Sequence, residues 1–542
     1  MTEATHPKGH AATPQQSSGA RNALTVILLL AALAMFAYHA SVYWEWTEDD
    51  AFISLRYAQN LATGNGLAFN PGERVEGYSN FTWVLLATGA ISMGADPLMT
   101  VKTCGLISGL ACLLLAWALV LRLAPRAGLL AVLAPWYLAI SPVLTHHSIA
   151  GLESSFFAFL LIAALYVACG PRSSRLWSRF LLVVLLVLLS MTRPEGVGLA
   201  LVILFVRGLV MRPGGAPSIT SAGPIRALAE AFKFTRFEWI VFVLVFGSWF
   251  AWRWNYFGLP LPNTFYAKGQ GGLHSIIDGT QYVLDFLRDG GGPLFFGVSL
   301  SPLVLGNMRP ATWLALTVLA AYLLFVVIAG GDWMWNYRFL SHVLPILAAL
   351  VSAGAALILA RFVERSWQTL GMYAVLSLLL LATFIGMGNT ELRMARIVLP
   401  AVRSHNYLSQ NYEEIGLWLK EQTPVDSKVA ISDVGAIAYF SERHIIDMFG
   451  LNDRHIASIK GRMHYKTDPK YVLSRQPDYV VLVSLNDQGG GYSFQRVPDY
   501  ALNALPAFHE QYELIRTVPQ HWNNEFALIY ERKPTQTEEA PQ

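Results

Sequence analysis

Long apolar runs separated by short polar segments fill most of the first 390 residues of the chain. A helix needs about 20 mainly apolar residues to cross a bilayer, and we interpret eleven of the runs as membrane spans. They centre on residues 23–43, 98–121, 127–144, 151–169, 178–192, 196–211, 237–255, 293–308, 311–330, 339–360 and 368–388. Residues 81–93 are also apolar, but the stretch is too short for a span and predicts a short or re-entrant helix.

The two ends of the chain differ from this pattern. Residues 1–21 are polar and predict a disordered cytoplasmic tail. Residues 391–542 carry ordinary charge density, and helix-like stretches such as residues 412–421 alternate with β-rich runs, namely KVAIS, RHIIDMF, YVVLVS and FALIY. This alternation predicts a soluble α/β domain. The expected fold is an α-helical polytopic membrane domain over residues 22–390, followed by this α/β domain.

Composition supports a membrane protein and excludes one class of partner. Only 14% of the residues are charged and 54% are hydrophobic, whereas soluble domains average about 25% charged residues. The net charge of +3 is small, and no basic run is interleaved with aromatic residues. These features argue against nucleic-acid binding.

Basic residues in the short loops indicate the orientation of the chain, because arginine and lysine favour cytoplasmic loops. They cluster at residues 122–126, 172–179, 207–236, 309 and 361–365. With eleven spans and a cytoplasmic N-terminus, every cluster lies in the cytoplasm. The sequence therefore predicts a multi-pass membrane protein, with a large first loop at residues 44–97 and a C-terminal domain that both lie in the periplasm or its equivalent.

Under this orientation, six polar motifs all lie at the outer membrane surface. They are EDD at 48–50, ERVEGYSN at 73–80, THHSIAGLE at 145–153, TRPEG at 192–196, LPLPNTFYAK at 259–268 and GGDWMWNYR at 330–338. Scattered solubilising loops have little reason to gather carboxylates, arginines and histidines on one side. The clustering indicates a functional site at the outer membrane boundary.

The acidic cluster of residues 48–50 allows two interpretations. Thr47 to Asp50 fit a capping box, with Thr47 at the N-cap and Asp50 at the N3 position, and the helix dipole favours acidic residues in a first turn. Taken alone, the cluster favours this structural interpretation, and the alternative is the reactive end of an enzyme. Capping explains Asp50 better than Asp49. Apolar residues at helical spacing, starting with Phe52, predict an amphipathic helix on the membrane face.

Histidines and glutamates in the other motifs also have structural explanations. His146 and His147 are predicted to be polar loop residues rather than metal ligands, because spacing sets no third ligand. Glu153 and Glu195 each begin an apolar run, where the helix dipole stabilises a negative charge. We expect no required cofactor; the spacing of the acidic cluster neither demands a divalent metal nor excludes one.

Three cations, Arg193, Lys268 and Arg338, lie on the side of the membrane that positive charge avoids. An anionic ligand would explain them, and a lipid phosphate at the membrane boundary is the natural candidate. Ion pairs with Glu195 or Asp332 are the alternative explanation.

An ordered set of motifs between about residues 45 and 480 resembles the GT-C class of polyprenyl-phosphate-sugar glycosyltransferases. The resemblance is strongest to the mycobacterial terminal (β-1,2) arabinofuranosyltransferase group and its bacterial relatives. Each motif is weak alone, and the order of the set is specific. The motifs are DDAFISLRYAQNLATGNGLAFNPGERVEGYSNFTW, SIAGLESSFFAFL, TRPEG, YFGLPLPNTFYAK, GGDWMWNYRFL and SDVGAIAYFSERHIIDMFGLNDRHIA.

The resemblance implies a multi-pass protein of the bacterial inner membrane with a periplasmic C-terminal domain. It also implies a transmembrane bundle whose first outer loop carries an acidic catalytic residue. In this sequence the matching residues are Asp49 and Asp50, and we prefer Asp49. The resemblance also implies that basic residues hold the donor phosphate, for which Arg193, Lys268 and Arg338 match. Further substrate contacts are expected from residues of the same motifs, namely Arg56, His146, Glu195, Asn263 and Asp332.

The leading functional hypothesis is a membrane glycosyltransferase. It would move a sugar, arabinofuranose by resemblance, from a polyprenyl phosphate to an extracytoplasmic glycan, lipid or protein. A lipid-linked sugar transporter or flippase is the second hypothesis, although we find no internal repeat of the kind transporters show. A non-catalytic glycan-binding scaffold is the third, and it leaves the three cations unexplained.

Overall fold

A computed structural model describes residues 14–170, 174–211, 224–269, 272–289, 292–362, 396, 399–400, 408–462, 464–486, 491–520 and 525–534. The predicted span at 368–388 and the first part of the predicted tail lie outside these residues. Residues from Pro14 onward already belong to the first helix, so the second part of the predicted tail is helical.

The N-terminal part of the described chain is helical. Its helices are α1 (Pro14–Val42), α2 (Asp49–Ala62), α3 (Phe81–Ser92), α4 (Pro97–Leu123), α5 (Leu133–Ala139), α6 (Pro142–Ile149), α7 (Ser154–Ala168), α8 (Leu176–Thr192), α9 (Glu195–Val210), α10 (Pro224–Phe257), α11 (Asn263–Lys268), α12 (Leu273–Asp289), α13 (Gly292–Ser299), α14 (Ser301–Val304), α15 (Pro310–Ala329), α16 (Arg338–Ser341) and α17 (Leu344–Phe362). A 3₁₀ turn, Gly128–Val132, precedes α5.

Five of the described helices are long and apolar enough to cross a membrane, and a bent pair makes up to six. The five are Asn22–Val42, Pro97–Leu123, Leu228–Phe257, Pro310–Ala329 and Leu344–Arg361. The bent pair comprises Gly128–Ala139 and Pro142–Ile149, at 57° to each other. The prediction of a multi-pass helical membrane protein is confirmed.

The predicted run at 293–308 is interrupted in the structure. It forms the two short helices α13 and α14 instead of one span. Pro302 lies in the first turn of α14, where proline is favoured because an N–H group at that position would have no partner within the helix. The same missing N–H group prevents α13 from continuing through this residue. The apolar stretch at 81–93 forms the short helix α3, as predicted.

The C-terminal part is an α/β domain, as predicted. Its helices are α18 (Leu408–Gln422), α19 (Ala436–Ser441), α20 (Arg454–Ser458), α21 (Pro469–Ser474), α22 (Val497–Asn503) and α23 (Pro506–Gln511), and its strands are β1 (Lys428–Ile431), β2 (His444–Asp447), β3 (Tyr479–Asn486), β4 (Tyr492–Ser493), β5 (Tyr512–Gln520) and β6 (Glu525–Arg532). The strand order is β2-β1-β3-β6-β5, with β4 paired to β3. β2, β1 and β3 are parallel, and β6 and β5 complete the sheet antiparallel.

Helix α2 connects the two parts. The predicted helix is present, but its apolar side does not lie on the membrane face. Phe52, Leu55 and Ala58 are buried in a core shared with the C-terminal domain, and the Phe52 ring lies 5.6 Å from Tyr439 and 5.3 Å from Phe440. The apolar stripe of α2 therefore fixes its first turn between the helical bundle and the sheet domain.

Candidate functional site

The first turn of α2 does not form the predicted capping box. Glu48, not Thr47, is the N-cap, and it makes no side-chain cap. The Thr47 hydroxyl instead accepts a hydrogen bond from Lys102 Nζ at 3.1 Å. Glu48 accepts a hydrogen bond from Trp46 Nε1 at 3.1 Å and lies 3.2 Å from His146 Nε2. Buried partners on other elements thus occupy both groups.

Asp49 reaches across to the C-terminal domain. Its carboxylate accepts hydrogen bonds from the backbone N–H groups of Gly435, at 3.0 Å, and Ala436, at 2.8 Å, at the start of α19. A Cβ at residue 435 would collide with Asp49, so glycine permits the contact. Burial, followed by the nearby Asp433 carboxylate, raises the pKa of Asp49 to about 8. Asp49 therefore holds the two parts of the molecule together.

Asp50 has different surroundings. Within the described parts of the chain, its half-buried carboxylate has no hydrogen-bond or ion-pair partner. Burial raises its pKa to about 6, while the charges of Arg338 and Lys268 oppose that rise. A carboxylate with these properties is ionised at neutral pH and available to a ligand.

The cations near Asp50 differ in how they are paired. Arg338 is buried and makes a bidentate ion pair with Asp332, at 2.6 and 3.0 Å. Lys268, at the end of α11, is exposed, and the described residues offer its ammonium no ion-pair partner. Lys268 is therefore the cation that is free to bind an anion.

Arg193 belongs to a buried network next to this cluster. It contacts Glu195 and Glu153, each at 2.5 Å, and Glu153 also accepts a hydrogen bond from Asn80 Nδ2 at 2.7 Å. For Arg193 and Arg338, the ion pairs that the sequence offered as an alternative are present in the structure. Arg338 still acts on Asp50, and both arginines act on Lys268, because a neighbouring carboxylate only partly screens a buried guanidinium.

His146 and His147 are not loop residues, and that prediction is wrong. Both are fully buried in α6, because Pro142 starts a short helix within the predicted apolar run. His146 faces Glu48, and His147 Nε2 lies 3.2 Å from the Asn336 carbonyl oxygen. His146 therefore contacts the acidic loop, and His147 contacts the loop that carries Asp332.

Asn263 and Arg56, both expected to contact substrate, hold the C-terminal domain in the structure. The Asn263 side-chain amide donates to the carbonyl oxygens of Gly450, Leu451 and Asp453, at 2.9 to 3.2 Å. Arg56 Nη2 donates to the Arg443 carbonyl oxygen at 3.2 Å. Neither side chain joins the Asp50 cluster through a hydrogen bond.

Comparison with known proteins identifies the architecture. The archaeal oligosaccharyltransferase AglB from Archaeoglobus fulgidus, in complex with an inhibitory peptide and a dolichol-phosphate, superposes with a TM-score of 0.53 and 13% identity over 87% of this chain and 74% of that one. ArnT from Cupriavidus metallidurans bound to undecaprenyl phosphate superposes with a TM-score of 0.51 and 13% identity over 96% of this chain and 99% of that one. The chain has a GT-C fold.

Sequence comparisons match shorter parts of this GT-C chain. Residues 403–537 match a family described as a domain of unknown function (DUF8728). A terminal β-(1→2)-arabinofuranosyltransferase of Corynebacterium glutamicum is 39% identical over 82 residues. That alignment covers 15% of this chain and 12% of the curated relative. The predicted GT-C likeness and fold are confirmed.

The GT-C chain also brings together residues that the sequence did not single out. Asp433 influences the pKa of Asp49, and Arg496 lies 2.7 Å from Asp433. Asp433 belongs to the SDVGAIAYF motif, to which the sequence alone assigned no role. Among the described residues, no group of three or more histidine, cysteine or acidic side chains could hold a metal.

Proposed function

We propose that the protein is a membrane glycosyltransferase that moves a sugar from a polyprenyl phosphate to an extracytoplasmic acceptor. One observation carries the proposal: on a GT-C fold, the Asp50 carboxylate has no partner among the described residues and faces two cations, Lys268 and Arg338. A base beside positive charge is the combination that transfer from a sugar phosphate needs.

The donor is a polyprenyl-phosphate sugar. Two solved proteins with the same fold are described with dolichol-phosphate and undecaprenyl phosphate. Lys268 binds the phosphate as an unpaired point charge, while Arg338 and Arg193 add positive potential from their ion pairs. The short alignment with the arabinofuranosyltransferase supports arabinofuranose as the sugar.

In the reaction, Asp50 takes the proton of the acceptor hydroxyl. The acceptor oxygen forms a bond to the anomeric carbon, and the bond from that carbon to the phosphate oxygen breaks. The electron pair of the broken bond stays on the departing polyprenyl phosphate, where Lys268 and Arg338 stabilise the developing charge. Asp49, held by the start of α19, positions this turn of the loop.

Two variants test this proposal in purified protein supplied with decaprenyl- or undecaprenyl-phosphoryl sugars and a short glycan acceptor. Asp50→Asn should reduce transfer by about a hundredfold or more, since general-base catalysis contributes about 10²–10⁴, while donor binding persists. Lys268→Gln should weaken donor binding by about tenfold through loss of a charge-assisted contact.

Asp278→Asn and Lys460→Gln are matched controls, because both side chains are exposed. Neither should change turnover or donor affinity. Unchanged turnover in Asp50→Asn would refute the assignment of the base, and unchanged donor affinity in Lys268→Gln would refute the phosphate contact. Comparing activity with and without a chelator tests the expectation that no metal is required.

A further inference from the structure

His464 of the C-terminal domain lies at the contact with the membrane part. Its ring lies between Phe449, with centroids 4.9 Å apart, and Trp333 of the membrane part, 5.5 Å away. Its backbone φ is 68°, a left-handed conformation that few non-glycine residues adopt and that is concentrated at functional sites. Neither ring nitrogen has a hydrogen-bond partner in the described part of the chain.

Charged groups from both parts of the molecule face this ring. Asp433 and Arg496 of the C-terminal domain and Lys268 of α11 are all close enough to act on its protonation. Lys268 also acts on Asp50. The charge of Lys268 therefore acts on both His464 and the candidate base.

Trp333 supplies a flat surface beside these polar groups. It directly follows Asp332, and 53% of its surface is exposed even though its ring contacts His464. Asp433 keeps 19% of its side chain exposed while it pairs with Arg496. An exposed indole face in contact with an imidazole, on which the charge of Asp433 acts, suits a ligand that has both apolar C–H faces and several hydroxyl groups.

We propose that Trp333, His464 and Asp433 form the binding subsite for a saccharide acceptor, with a sugar ring stacked on Trp333 and its hydroxyls hydrogen-bonded to His464 and Asp433. The inference rests on the proposed glycosyltransferase function and names the class of its acceptor. A peptide is the alternative occupant, and the test below includes one as a probe.

The protonation of His464 suits this role. Burial lowers its pKa below the ordinary value, and Lys268 and Arg496 lower it further, against the opposing effect of Asp433. The imidazole is therefore neutral at neutral pH, with one nitrogen that donates and one that accepts. A sugar hydroxyl can use either.

Four variants test the subsite with two probes, a short octyl oligosaccharide and a serine- and threonine-containing peptide. His464→Gly removes the ring and tolerates the positive φ, while His464→Asn keeps a hydrogen-bonding group and also tolerates it. Trp333→Ala removes the stacking surface, and Trp333→Phe keeps an aromatic ring. His509→Asn, exposed in the same domain, and Trp177→Ala, 82% exposed in α8, are the controls.

Saturation-transfer NMR measures probe binding without donor, and transfer assays measure acceptor KM and kcat. The glycine and alanine variants should each raise the oligosaccharide Kd and KM by about tenfold, as expected for loss of a hydrogen bond or a stacking contact, with donor affinity unchanged. His464→Asn and Trp333→Phe should restore part of the loss, and the controls should match the wild type.

Equal oligosaccharide binding in wild type and all variants would overturn the subsite, and binding of the peptide alone would overturn its saccharide class. If oligosaccharide binding depends on Trp333 and His464 but no polyprenyl-phosphate sugar is transferred, the subsite stands and the proposed function fails. If the sugar is transferred but neither Trp333 nor His464 affects oligosaccharide binding, the proposed function stands and the subsite is overturned.

Discussion

At the scale of single residues, Asp49 and Asp50 are neighbours whose carboxylates have different tasks. Two backbone N–H groups hold Asp49, whereas Asp50 faces Lys268 and Arg338 with no hydrogen bond of its own in the described chain. The sequence argued for Asp49 because a cap explained Asp50. The geometry favours Asp50 as the base, since a reacting oxygen has to be reachable by substrate.

The pKa of Asp50 predicts how activity depends on pH. A general base acts in its ionised form, and burial raises the pKa of Asp50 to about 6. Activity should therefore be full at neutral pH and fall by about tenfold for each pH unit below 6. The acid limb of kcat/KM for transfer measures this, with thermal unfolding recorded at each pH to exclude loss of the fold. A flat profile between pH 5 and 7 would contradict the role of Asp50.

At the scale of elements, one side chain takes the place of a neighbouring strand. β2 is the edge strand of the sheet, and Asn70 of the first outer loop pairs with Ile445 there. Asn70 Nδ2 donates to the Ile445 carbonyl oxygen at 2.8 Å, and the Ile445 N–H donates to Asn70 Oδ1 at 3.0 Å. The loop therefore covers an edge that would otherwise leave backbone groups unpaired.

Asn70→Ala should loosen this junction. It leaves the N–H and carbonyl groups of Ile445 unsatisfied in a buried place, which costs about 2 kcal/mol or more. We expect a lower thermal unfolding temperature in detergent and faster proteolysis between the membrane part and the sheet domain. Asn65→Ala is the control, because its amide bonds only within the same loop. Equal proteolysis rates for the two variants would show that Asn70 does not couple the parts.

The elements themselves were largely predictable because their signals are local. Apolar runs and alternation gave α3, α18 and the strands β1, β2, β3 and β6. The strands β4 and β5 were missed: β4 has two residues, and polar positions and a proline interrupt β5. The break between α13 and α14 and the burial of His146 depend on turns within apolar runs, which hydrophobicity alone does not locate.

At the scale of the whole molecule, the candidate site is composite, and this limits prediction from sequence. Asp49 binds Ala436, 387 positions further along the chain, and His464 contacts Trp333 across the same junction. Periodicity carries no information about such pairs, so the sequence could name Lys268 and Asp50 but could not decide which carboxylate was free. The motif around Asp433 had no assigned role from the sequence alone, and the fold places it against Asp49.

The proposed function also requires that this composite site face the outside of the cell, and the fold gives two positions at which to test it. Ser458 is exposed on the C-terminal domain, which contacts the first turn of α2 through Asp49. Trp177 lies near the start of α8, a 17-residue apolar helix that is shorter than the five long ones and coincides with the predicted span at 178–192. About 24 Å of helix, at 1.5 Å per residue, separates Trp177 from Arg193. The two residues should therefore lie on opposite sides of the membrane.

Cysteine labelling in intact cells measures this directly. In a Cys104→Ser background, which leaves Cys112 and Cys169 buried, a membrane-impermeant maleimide should label Ser458→Cys at once. It should label Trp177→Cys only after permeabilisation, because basic loops at that end favour the cytoplasm. The reverse pattern would place Asp50 and Lys268 in the cytoplasm. A polyprenyl-phosphate sugar presented at the outer leaflet could not reach them there, so this result would by itself reject the proposed reaction.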